Sequence, residues 1–151
     1  MRIFLVCKVR GATDEQIAEQ RRYVKSLERR GHKVHWPHRD TEQKDPKRGT
    51  GICQTTFWGI FNAKEVHVLF DPTSEGFVAD MMMTFALDEL GKTGRFHSLI
   101  GRRKVVIVNP KEAKKKIREE VKKQISEGAD PRFTKSYTMV LWNLARDTAK
   151  L

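Results

Sequence analysis

A chain of 151 residues that is 38 % hydrophobic and 32 % charged suits one compact domain with a sizeable core, and its apolar runs exclude a disordered chain. Lys and Arg number 30 against 19 Asp and Glu; the net charge of +11 favours an anionic partner such as nucleic acid, a phosphorylated small molecule or an acidic surface. Two cysteines exclude a disulfide scaffold, and no apolar stretch approaches the roughly 20 residues a membrane helix needs.

The Ile3–Cys7 run is too short for a signal-peptide core, so a cytoplasmic protein with free thiols and no membrane partner is expected. Arg2 to Val9 reads as a first strand. Thr13 opens a helix through a capping box with Gln16; Ile17, Val24 and Leu27 supply its inner stripe, and Gly31 closes it. Lys33 to Trp36 is a second short strand, followed by a polar segment, Pro37 to Gly51, that reads as a long loop. A helix from about Ile52 to Ala63 places Ile52, Thr56, Ile60 and Ala63 on one face. Glu65 to Phe70 is a third strand, Asp71 to Gly76 a turn, and a helix follows from about Phe77 to Leu90. Lys104 to Val108 is the fourth strand, stopped by Asn109-Pro110. The helix beyond it carries Ala113, Ile117, Val121 and Ile125 every four residues, a buried stripe under a solvated lysine face. Thr138 to Trp142 is a candidate fifth strand before a helical tail.

Strands alternating with helices predict a single α/β domain over residues 1–151, with a mostly parallel sheet of about five strands and helices on both faces. Ligands in such sheets bind beyond the carboxyl ends of the strands, where the strand order reverses. The segments to inspect are therefore Lys8 to Thr13, Pro37 to Asp45, and Asp71 to Asp80.

In the third segment, a Ser74-x-Gly76 turn entering a helix offers free N–H groups and a hydroxyl, which suit an anion or a sugar hydroxyl. Asp80 is expected in the first helical turn, where the dipole favours an ionised carboxylate; plain charge compensation at a helix end would place an acid there too. In the first segment Arg10 suits a phosphate and Gly11 lets backbone approach it, although an ordinary turn reads the same way. In the second, His35, His38, Arg39, Asp40, Gln43 and Asp45 are polar, and Asp and Gln side chains read a nucleobase edge by paired donors and acceptors. His32, His35 and His38 are spaced so that they do not converge, and no metal site is expected. Without zinc-finger spacing or an aromatic-basic RNA-binding pattern, nucleic acid is not the expected partner. Trp36, Trp58 and Trp142 suit stacking on a base, but core or interface roles are the expectation for most of them.

Arg10-Gly11 with Asp14-Glu15-Gln16, the Asp40-Thr41-Glu42-Gln43 segment, and Ser74-x-Gly76-x-x-x-Asp80 together resemble the nucleoside 2-deoxyribosyltransferase-like family, which includes the 2′-deoxynucleoside 5′-monophosphate N-glycosidases. The likeness spans about residues 2–110, and Ala63 through Gly76 fits the family's third-strand segment without a gap. The resemblance implies a flavodoxin-like doubly wound fold, no cofactor, and cleavage or transfer at the bond between a nucleobase and a deoxyribose. It implies that Asp80 stands where the family's nucleophilic glutamate attacks the anomeric carbon, after which water or a second base accepts the sugar. It further implies that Ser74 and Gly76, with Glu75 between them and Arg10 and Gly11 nearby, hold the 5′ side of the sugar. Asp40 and Gln43 would meet the base, and the chain would form a homodimer or larger homo-oligomer. Two positions depart from the family. Met81-Met82 replace the Leu-Gly after the acid, and Thr56 replaces an aspartate that assists the sugar and the leaving base. General acid or base help is worth about 10²–10⁴-fold, with Asp71 and Glu75 the acids nearest to supply it. The alternative is a catalytically inactive nucleotide-binding protein of the same fold.

Overall fold

The computed structural model describes residues 1–44, 49–71, 73–92, 100–101 and 103–130. Among these, four strands form one sheet: β1 (Arg2–Val6), β2 (Lys33–His35), β3 (Glu65–Val68) and β4 (Lys104–Ile107). All neighbours pair parallel, in the order β2-β1-β3-β4. Five helices connect or follow them: α1 (Asp14–Arg29), α2 (Pro37–Asp40), α3 (Thr50–Asn62), α4 (Glu75–Lys92) and α5 (Pro110–Ser126). This is the parallel α/β arrangement that the alternating pattern predicts, in the flavodoxin-like form that the resemblance implies. The candidate fifth strand at Thr138–Trp142 lies outside the described residues.

A parallel sheet covered on both faces needs apolar residues at nearly every central position. Accordingly Ile3, Phe4, Leu5 and Val6 of β1 are all buried. Phe4 and Val6, with Val66 and Val68 of β3 and Val105 of β4, pack against Ile60 of α3 and Phe77, Met81 and Leu87 of α4. Ile3, Leu5 and Cys7 point the other way, onto Val24 and Leu27 of α1. The predicted capping box is present: Thr13 Oγ1 accepts from the Gln16 N–H (3.2 Å) and Gln16 Oε1 accepts from the Thr13 N–H (2.9 Å). Ala113 and Ile117 of α5 are buried, whereas Ile125 at the end of the stripe is exposed.

α3 crosses β1 closely. A Cβ at Gly59 would lie 2.7 and 2.8 Å from two ring carbons of Phe4, so only glycine permits this approach. The Phe4 ring stacks on His35 at 4.9 Å, and the three elements are thereby locked together.

The segment 37–51 is not one loop. Pro37 starts α2, because its fixed φ and missing N–H suit the first position of a helix. Asp40 Oδ2 accepts from the Trp36 N–H (2.8 Å) and so closes the turn.

The chain passes from β1 outward to β2 and then returns to the other side of β1 as β3. Loops leaving β1 and β3 diverge at such a reversal and open a crevice between them.

Candidate functional site

A cavity of about 520 Å³ occupies that crevice. Its wall after β1 comes from Cys7, Lys8, Val9, Arg10 and Gly11; the wall after β2 from Pro37, Thr41 and Gln43. Gly49, Ile52, Cys53 and Thr56 enter from the start of α3, and Thr73, Ser74, Glu75, Gly76 and Asp80 from the loop after β3 and from α4. Eight of the nine candidate residues therefore share one cavity: Arg10, Gly11, Gln43, Thr56, Ser74, Glu75, Gly76 and Asp80.

Asp40 does not join them. Arg39 Nε donates to its Oδ1 (2.7 Å), the Trp36 N–H holds its Oδ2, and Arg39 also reaches Glu28 (2.9 Å) and the Val34 carbonyl (2.8 Å). Burial pushes the Asp40 carboxyl up, but these hydrogen bonds outweigh it and hold the group below its usual range. Asp40 thus builds α2 and faces away from the cavity. Asp45 lies outside the described residues.

Asp80 is half-buried on the cavity wall and has no hydrogen-bond or ion-pair partner for its carboxylate among the described residues. Burial alone raises its pKa to about 7. The expectation that a helix dipole keeps it ionised is corrected here. α4 begins at Glu75, two residues earlier than predicted, so Asp80 falls in the second turn, where the dipole has faded and desolvation decides. Its charge is felt by Cys7, whose thiol is pushed up to about 12, mainly by burial and then by Asp80.

The start of α4 lies beside it. Ser74 Oγ accepts from the Phe77 N–H (3.4 Å) and the Ser74 carbonyl accepts from the Val78 N–H (3.1 Å). Among the described residues the N–H groups of Glu75 and Gly76, which precede the first helical bonds, have no acceptor and are available to an anion. Lys8 and Arg10 supply positive charge on the facing wall, with Lys8 Nζ 4.0 Å from Asp71. Asp71 is outside the cavity wall: it accepts from the Thr73 hydroxyl (2.6 Å) and pairs with Lys8. Glu75 is the second acid on that wall.

No known family model, curated protein or solved structure matches this chain. What the site does therefore rests on its geometry and chemistry.

Other contributors were not among the candidate residues, notably Lys8 and Cys53 on the wall and Gln20 outside it. Lys8 lies two residues beyond β1, at the head of the Lys8–Thr13 segment that the strand-end rule marks, although only Arg10 and Gly11 of that segment are singled out. Cys53 stands three residues before Thr56 on α3 and so shares its helical face; it is exposed. Gln20 of α1 is buried and leaves no signal in the sequence. Its Oε1 accepts from Trp36 Nε1 (2.9 Å) and its Nε2 donates to the Lys8 carbonyl (2.9 Å), tying the end of β2 to the segment after β1 beneath the cavity. That hydrogen bond commits the buried Trp36 to the scaffold, while Trp58 is exposed and Trp142 lies outside the described residues. His32, His35 and His38 form no metal-binding group among the described residues; His35 Nε2 instead bonds Thr41 Oγ1 (3.0 Å) and His38 stacks on Trp36. No helix among the described residues is long and apolar enough to cross a membrane.

Proposed function

We propose that this chain breaks the N-glycosidic bond of a nucleoside, preferentially as its 5′-monophosphate, with Asp80 as the attacking carboxylate. One observation carries the reading: a partnerless carboxylate faces the switch-point cavity together with the free N–H groups of Glu75 and Gly76. The family resemblance supports the same assignment. A phosphate would meet the start of α4 and the cations Lys8 and Arg10, which fits the net charge of +11.

In the first step an Asp80 oxygen bonds to the anomeric carbon. The bond from that carbon to the base nitrogen breaks; the base leaves with the electron pair and takes a proton from solvent. In the second step water attacks the same carbon, Glu75 takes the water's proton, and the carboxylate of Asp80 departs. A second nucleobase in place of water gives transfer. The cavity partly excludes water, which strengthens the electrostatic contacts inside it.

A competing reading, nucleotide binding without turnover, is favoured by Thr56, a hydroxyl in the cavity where the resemblance implies an aspartate. Incubation with 2′-deoxynucleosides and their 5′-monophosphates, followed by chromatography for free base, separates the two. The proposal expects release from the monophosphates that falls by at least about 10²-fold in Asp80→Ala. Saturable binding with no base released favours the binding protein, and release unchanged in Asp80→Ala removes Asp80 from the mechanism.

A further inference from the structure

We propose that the Gln43 wall selects nucleobases bearing an exocyclic amino group, cytosine or adenine, over their oxo counterparts uracil and hypoxanthine. This rests on the nucleotide reading above and adds a specificity determinant to it. The Gln43 amide is oriented by its surroundings. Nε2 donates to the Thr41 carbonyl (2.9 Å) and the Pro37 carbonyl (3.3 Å), so both of its hydrogens are spent. The oxygen cannot take that position, because it would face two carbonyl oxygens. Oε1 is thereby left without a donor among the described residues, on a side chain that lines the cavity.

The neighbouring groups reinforce this polarity. Pro37 has no N–H, the Thr41 hydroxyl is engaged with His35 Nε2 (3.0 Å), and a thiol such as that of Cys53 is only a weak donor. Among the side chains of this wall, a ligand edge meets acceptors. The strand order sets which edge arrives: the Ser74–Gly76 wall follows β3 and the Gln43 wall follows β2, with β1 between them. A nucleotide whose phosphate meets the start of α4 extends its base toward Gln43. The amino group of cytosine or adenine donates to Oε1, whereas the oxo group of uracil or hypoxanthine sets lone pairs against lone pairs. The ring N–H beside that oxo group is a partial substitute, so the outcome is a preference of about tenfold, the usual cost of one unmet hydrogen bond in a shielded site.

The test is binding by calorimetry, with base release in parallel, for two matched pairs: the 5′-monophosphates of 2′-deoxycytidine and 2′-deoxyuridine, and of 2′-deoxyadenosine and 2′-deoxyinosine. The wild type is expected to favour the amino member of each pair about tenfold. Gln43→Met, which keeps the length and removes the amide, is expected to bring each pair within about twofold. Equal binding of both members, or an oxo preference, overturns the inference and leaves the nucleotide site standing. A preference that survives in Gln43→Met also overturns it. Failure of all four nucleotides to bind overturns the inference and the functional reading together.

Discussion

At the scale of single residues, Asp80 dominates because burial and charge conflict there. In the unfolded chain its carboxyl ionises around its ordinary 3.8; in the fold it keeps its proton to about pH 7. Between those values the native state holds the extra proton, so the Asp80 contribution to stability declines as pH rises. Above pH 7 the buried charge costs on the order of a few kcal/mol. Asp80→Asn removes the ionisation and nearly preserves the shape. It is expected to be more stable than the wild type in urea unfolding at pH 8, by roughly 1–3 kcal/mol, with the gap closing toward pH 4. A gap independent of pH contradicts the shift. Asp40 shows the opposite case: neighbouring donors hold its carboxylate ionised, and it serves the scaffold.

At the scale of elements, the cavity depends on how closely α3 sits on β1, since α3 brings Cys53 and Thr56 to the site. Gly59 fixes that distance. Alanine usually stabilises an exposed helix position by about 1 kcal/mol over glycine. Here its methyl would enter the Phe4 ring and crowd His35 Nδ1 at 3.4 Å. Gly59→Ala is therefore expected to destabilise by about 1–3 kcal/mol, read as a lower Tm. An unchanged or raised Tm would show that α3 is free to move outward. All four described strands and the longer helices were legible in the sequence because continuous apolar runs and four-residue spacings report burial directly. The capping box at Thr13 was legible because its two partners lie three residues apart. α2 was not, since its few residues carry no periodicity and its closure depends on a side chain, Asp40, reaching back to a backbone N–H. The same cause misassigned Asp40 to the site: its charge is visible in the sequence, but its engagement with Arg39 is not. Gln20 escaped notice because its partners, Lys8 and Trp36, lie twelve and sixteen residues away and meet only in the fold.

At the scale of the whole molecule, the order β2-β1-β3-β4 places three short segments around one crevice, and the proposed chemistry rests on that placement. The start of α4 forms one side, the cations Lys8 and Arg10 after β1 face it, acceptors around Gln43 form a third, and Asp80 of α4 lines the same cavity. The nucleophilic role proposed for Asp80 has a direct signature. A nucleophile must be ionised, so base release should increase as Asp80 loses its proton; a general acid would show the reverse. The decisive measurement is kcat/KM for base release from a 2′-deoxynucleoside 5′-monophosphate, followed from pH 5 to pH 9 in the wild type and in Asp80→Ala. The account predicts a rise through about pH 7 that is absent from Asp80→Ala. A rate that falls across the same range, or a rising limb that persists without Asp80, would contradict it.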